Sequence, residues 1–249
     1  MVRSLLVRGM LVGLAAAGLA LIAAWLFGEA PVGQAIAFEQ HRAVLAGRPP
    51  EPVVFSRLVQ KTIGLATGIG VFGIAVGGLF ALAFSFAYGR IGQFGARATS
   101  GLLALGGFIA VELAPFLKYP ANPPSVGRAD TIGERTALYF GLIAISILSG
   151  VIAITFGRRA ARKVGNWNAT LLGAGVFVLL IALAYLIMPA VQEVPRAFPA
   201  VVLWRFRLAS LGVQAVLWTA LGLLFGIVSE RILPRAGNLS SQGRPVSVR

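Results

Sequence analysis

Thr62–Gly89 reads TIGLATGIGVFGIAVGGLFALAFSFAYG and holds no charged residue. A helix rises about 1.5 Å per residue, so a run of this length more than covers the ~30 Å of hydrocarbon in a bilayer. Its glycines at Gly64, Gly68, Gly73 and Gly77 form two small-xxx-small pairs, which let helix backbones approach closely and place this helix among its neighbours. No strand pattern precedes them, so a phosphate-binding loop has no support.

The same pattern recurs along the chain. Uncharged or nearly uncharged runs predict helices over approximately 9–27, 62–88, 99–117, 136–157, 169–188 and 208–229. The 249 residues are 57% hydrophobic and only 12% charged, with mean hydropathy +0.85, a balance that would cover a soluble domain in apolar surface. The expectation is an all-α integral membrane protein of about six transmembrane helices. It forms a single polytopic domain over 1–232, embedded in the lipid bilayer, with a flexible Gly/Ser/Pro tail over 233–249. Arg3 and Arg8 ahead of the first run also fit a cleaved signal peptide, but that run is longer than the usual apolar core of one, so a retained helix is expected.

Net charge is +14, yet the basic residues stand singly or in short groups between apolar runs, without a basic helix or aromatic-interleaved patch, and no nucleic-acid partner is expected. They are sorted by side. With the N-terminus cytoplasmic, the inner segments hold Arg3, Arg8, Arg90, Arg97, Arg158, Arg159, Arg162, Lys163, Arg231, Arg235, Arg244 and Arg249 against Glu230 alone. The other acids face or approach the outside. The excess of Lys and Arg inside predicts both termini cytoplasmic.

Between the apolar runs lie local signals. Pro31 opens a short surface helix that Gly47 and the breaker Arg48-Pro-Pro-Glu-Pro52 end, leaving Phe38, Val44 and Leu45 on the membrane interface. Pro115 favours a kink or an early end to the third span. Tyr119 to Pro124 cannot be helix, because each proline fixes φ and restrains the residue before it, and several carbonyl oxygens should be left free as ligands. Thr131-Ile-Gly-Glu134 reads as a capping box at the start of the next helix. Asn166 and Asn168, beside the interfacial Trp167, are N-cap candidates for the fifth span.

With no cysteine and one histidine, any metal chemistry must use oxygens and a single imidazole. Glu112 is the only carboxylate inside an apolar span, which marks it as a functional candidate; a buried partner for Arg135 or Arg207 is the structural alternative. Glu39 with His41 supplies one carboxylate and one nitrogen, suited to a borderline divalent ion such as Co²⁺ or Ni²⁺, though a solvated surface histidine explains the pair as well. Met10 and Met188 read as packing residues. No pattern identifies a nucleophile, a metal triad or a nucleotide site, so no enzymatic activity and no permanently bound cofactor are expected.

Several longer motifs carry a resemblance. They are Gly77-Gly-Leu-Phe-Ala-Leu82, Leu117-Lys-Tyr-Pro-Ala-Asn-Pro-Pro-Ser-Val-Gly127, Arg135-Thr-Ala-Leu-Tyr-Phe140, Trp167-Asn-Ala-Thr170, and Glu193-Val-Pro-Arg-Ala-Phe-Pro199 running into Trp204-Arg-Phe-Arg-Leu-Ala-Ser-Leu-Gly212. In this order they resemble the CbtA family of probable cobalt transporter subunits. The resemblance implies a bacterial inner-membrane protein linked to cobalamin biosynthesis, importing Co²⁺ with CbtB, a small single-span partner bearing a histidine-rich motif. Such a partner would supply the nitrogen ligands this chain lacks. Asn122, Asp130 and Glu193 lie within or beside the motif stretches and join Glu112, Glu39 and His41 as candidate metal-contacting residues. A non-transporting scaffold for a permease, a transporter of another solute, and a homo-oligomer remain open at this stage.

Overall fold

The computed structural model describes residues 2–47, 55–124 and 126–233. The breaker's prolines, Ser125 and the tail from 234 lie outside the described residues. Within them the chain is all helix and loop, with no strand. Five helices are long and apolar enough to cross a membrane: α1 Val2–Leu45, α2 Arg57–Ala87, α3 Ala96–Lys118, α4 Ile132–Ile187 and α5 Ala200–Glu230. This makes a multi-pass membrane protein, since helices satisfy every backbone donor and acceptor where lipid offers none.

α4 is two arms. At Gly165 the backbone takes φ 78° and ψ 163°, which is not helical and is open in practice only to glycine. The arms fold back on one another: a Cβ on Gly157 would lie 3.1 Å from the Ala169 carbonyl oxygen, and one on Gly173 would lie 3.1 Å from that of Ala153. Two apolar helical arms therefore lie side by side, joined at Gly165.

Two prolines sit inside long helices without ending them. Pro31 follows a wide π-helical turn at Ala24–Gly28, and Pro115 follows another at Phe108–Leu113. A proline clashes with the carbonyl four residues earlier and cannot bond to it. Those residues, Phe27 and Val111, fall inside the wide turns, where the ladder has already shifted to longer bonds. Hence α1 runs straight through Pro31 instead of beginning a separate surface helix there, and α3 continues to Lys118. Gly47, with φ 61°, does follow the end of α1. The Phe38 ring packs edge-on against Phe198 at 5.0 Å between centroids.

The described residues divide into two compact units. Of the described residues, the first comprises 2–22, 62–105 and 216–233. There Gly9 and Gly13 of α1 meet Gly73 and Gly77 of α2 backbone to backbone. Of the two small-residue pairs expected in α2, this is the one used for packing; Gly68 faces open space. A second close approach sets Gly222 and Gly226 of α5 against Ala104, Ser100 and Arg97 of α3, with Ser100 Oγ donating to Gly222 O at 2.7 Å. Phe80, Phe84, Trp218 and Phe225 fill the remaining core with edge-to-face rings. Arg97 pairs with Glu230 at 2.6 Å.

Of the described residues, the second unit comprises 23–47, 55–61, 106–124 and 126–215. Arg57 pairs with Glu29 at 2.9 Å, and Trp25 Nε1 donates to Lys61 O at 2.8 Å. Ala35, Val126 and Phe198 form a small apolar core under the loop after α3.

Candidate functional site

The loop that follows α3 is fixed from its first residue. Tyr119 leaves the helix with φ −124° and ψ 72°, and its hydroxyl donates to Pro189 O at 2.8 Å. Burial pushes its phenol above the usual range. Just before it, Lys118 Nζ donates to Tyr185 O at 2.8 Å while Tyr185 donates its own hydroxyl to Ala114 O. These reciprocal bonds tie the end of α3 to the end of α4. The expected supply of loop carbonyls is partly consumed: Ala121 O accepts from Arg207 Nε at 3.3 Å, and Pro123 O accepts from Val126 N at 3.2 Å.

Glu193, in the loop before α5, organises the far side. Its Oε2 accepts from the Arg128 backbone amide at 2.9 Å and lies 3.3 Å from Arg135 Nε, a charge contact rather than an aligned hydrogen bond. Its Oε1 accepts from the Thr131 hydroxyl. The side chain is only 10% exposed. Thr131, then the Arg128 amide and the charges of Arg135 and Arg128, hold the carboxyl below its ordinary range against the opposing effect of burial. The capping-box expectation is overturned here: Thr131 makes no side-chain bond to the first turn of α4, and its hydroxyl goes to Glu193. Donation to a charged acceptor turns the hydroxyl towards the loop before α5, and its oxygen receives no amide of the first turn.

Gly127 is required at this point. It takes φ 107°, and a Cβ there would stand 2.5 Å from Arg135 Nη1. Arg135 uses its other terminal nitrogen to donate to Arg128 O at 3.0 Å. Arg128 in turn grips Asp130 at 2.6 Å and 3.1 Å; the hydrogen bond to Arg128 lowers the Asp130 pKa.

Between the two loops and α3, α4 and α5 opens a cavity of about 510 Å³. It lies wholly within the second unit. Three of the sequence-selected residues line it: Glu112, Asn122 and Glu193. Glu112 sits in the wide turn of α3, and among the described residues it is the one buried ionisable side chain, at 8% exposure. Asn122 Oδ1 accepts from Arg207 Nη2 at 3.0 Å. Asp130 is not among the lining residues and is committed to Arg128. Glu39 and His41 are exposed on α1, two residues apart, and so project from different sides of the helix. No group of three or more His, Cys, Asp or Glu side chains gathers to hold a metal ion among the described residues.

The cavity also uses residues that pattern reading did not single out as site residues. Arg207, Ser210 and Gln214 lie along α5, and Tyr139 lies on the first arm of α4. Gln214 Oε1 is buried without a hydrogen-bond partner. The available signal was the placement of arginine and glutamine within an otherwise apolar run, since polar groups in a membrane span default to function. Chemically, the site combines two carboxylates, Glu112 and Glu193, neutral oxygens from amide and hydroxyl groups, and two guanidinium groups.

The family model described as "Probable cobalt transporter subunit (CbtA)" matches residues 2–230 of the chain. No curated protein and no solved structure matches it.

Proposed function

Because the chain belongs to the CbtA family of probable cobalt transporter subunits, we propose that it is the permease-like subunit of a cobalt importer, with the cavity of the second unit as part of the path. The observation that carries this reading is Glu112: a carboxylate buried in a π-helical turn of a membrane-spanning helix, at the wall of a cavity large enough for a hydrated ion. Burying a carboxylate in a span is costly and marks a residue held there by partners or by the ion or proton path it serves.

The residue roles follow from their bonds. Glu112 is assigned contact with the ion because it is the buried carboxylate of the cavity wall. Glu193 and Asp130 have their oxygens engaged by Thr131, Arg128 and Arg135, so their role is to hold the loops in place, and they would reach a cation only by giving up those bonds. Asn122 seats Arg207. Glu39 and His41, exposed and outside the cavity lining, act in first capture of the ion at the protein surface.

The family description names a subunit, which points to a second chain. A small single-span protein rich in histidine, of the CbtB type, would complement a chain with one histidine. We place the complex in the bacterial inner membrane, tied to cobalamin biosynthesis, with both termini cytoplasmic and six crossings if the two arms of α4 each span. The engaged carboxylates also favour a second reading, in which the braced loops form a docking platform and the chain supports a separate permease.

Uptake of radiolabelled Co²⁺ separates the two. Cells lacking their own cobalt importers would express this chain alone, the histidine-rich partner alone, or both. Uptake that requires both chains, and that falls in Glu112→Gln at equal membrane level, is the expected result. Full uptake with the partner alone would leave only the scaffold role.

A further inference from the structure

Arg158, Arg159, Arg162 and Lys163 close the first arm of α4, just before the reversal at Gly165, and all four are exposed. Sorting of basic residues across a bilayer asks only that they lie on one side, and sets neither their spacing nor a shape. Here Arg158 and Arg162 are four residues apart, as are Arg159 and Lys163, so like charges repel along the helix. Neither arm answers them. After Glu134 the chain has no acid until Glu193, and none of the ion pairs among the described residues includes any of the four. Three of these arginines, with Thr155, line one concavity within the second unit.

Its depth points to an occupant. On the turn before the arginines, Ile152, Ile154 and Phe156 expose the apolar side chains of the span. Just past the reversal Trp167 is 75% exposed, an aromatic of the kind that settles at headgroup level. The concavity therefore opens where hydrocarbon gives way to headgroups. We propose that it binds the phosphodiester of an anionic phospholipid such as phosphatidylglycerol, with the guanidinium groups of Arg158, Arg159 and Arg162 on the phosphate oxygens. The planar fork of a guanidinium pairs with two such oxygens at once. A zwitterionic lipid brings its own cation to the same place and cancels part of the attraction, whereas an anionic one relieves the repulsion among the four basic residues. Thr155 Oγ1 donates to Val151 O at 2.7 Å, which leaves recognition to the arginines. Binding here pins the reversal of α4 at the membrane surface and is independent of the transport reading above.

The test melts the purified full chain in detergent with added phosphatidylglycerol, with phosphatidylcholine of the same acyl chains, or with inorganic phosphate. A ligand of the folded state alone stabilises by mass action, so phosphatidylglycerol should raise the melting temperature by several degrees and the other two by far less. With Arg158→Gln, Arg159→Gln and Arg162→Gln combined, the lipid concentration giving half of that rise should increase at least about ten-fold. Arg90→Gln should leave it unchanged, because Arg90 is already bonded to Phe86 O at 2.9 Å and lies over the Phe86 ring. An equal rise with phosphatidylcholine, or none with either lipid, overturns the site. An equal rise with inorganic phosphate overturns the lipid as its occupant. A rise that survives the triple substitution, or that Arg90→Gln weakens as much, reduces the effect to diffuse surface charge and also overturns the site. The headgroup contrast in the wild type needs no variant, so a misfolded substitution does not blunt the test.

Discussion

Thr131 donates its hydroxyl to Glu193, a residue of the loop before α5, and its oxygen accepts no amide from the first turn of α4 that it precedes. One carboxylate thereby binds Thr131, the Arg128 amide and Arg135. Glu193→Ala should lower the melting temperature in detergent by several degrees, because it leaves the Arg135 charge and the Arg128 amide without their acceptor. The pH dependence has a definite sign. Its pKa is lowered from 4.5 in the folded protein, so the contribution is complete above about that pH and is lost as pH falls through the lowered value. Melting curves for wild type and Glu193→Gln should converge on acidification; parallel curves from neutral to acid pH would remove Glu193 from this role.

The glycine contact between α1 and α2 gives a sharper mutational contrast. A Cβ on Gly73 would fall 2.6 Å from Gly13 O, and one on Gly77 would fall 2.8 Å from Gly13 Cα. Neither neighbour is a flexible side-chain tip, so the helices must separate. Gly73→Ala should cost about 1–3 kcal/mol through overpacking. Gly68→Ala, in the same helix but with nothing within 4 Å, should be neutral or stabilising by up to about 1 kcal/mol, since alanine is the better helix former. Unfolding in denaturant measures both, and equal effects would contradict the packing described.

Gly165 supplies the reversal within α4. Its φ 78° and ψ 163° are accessible to glycine and strained for any residue with a Cβ. Gly165→Ala should destabilise by about 1–3 kcal/mol even though nothing lies within 4 Å to clash. Gly175→Ala, on the second arm and equally open, serves as the control and should be tolerated. A Gly165→Ala variant as stable as wild type would mean that the arms meet by another backbone path.

These glycines show what was legible beforehand. Apolar run length revealed the helices, because bilayer thickness leaves few alternatives. The small-residue spacing exposed the Gly73 and Gly77 contact, but Gly64 and Gly68 have the same spacing without the packing at Gly68, as spacing does not name the partner helix. Glu112 was visible as a lone charge in an apolar run. Arg207 was visible as a charge, but its bond to Asn122 joins residues 85 apart in the chain. Thr131 misled for the opposite reason: the local motif was intact, and a remote carboxylate took the hydroxyl.

Glu112 is where transport should be most sensitive. It is buried at 8% exposure in the π-helical turn of α3, and its replacement by an isosteric amide keeps the shape and removes only the charge. Glu112→Gln should therefore reach the membrane at wild-type level, with Co²⁺ uptake reduced at least about ten-fold, since a carboxylate is a far better ligand than an amide for a hard or borderline dication. Glu112→Asp keeps the charge but draws it back by one methylene, and should retain intermediate uptake. Initial rates of ⁵⁷Co entry, normalised to protein in the membrane, give the comparison. Uptake in Glu112→Gln equal to wild type would show that the ion passes without this carboxylate, and the path would then have to be sought among the neutral oxygens of Ser210, Gln214 and Tyr139.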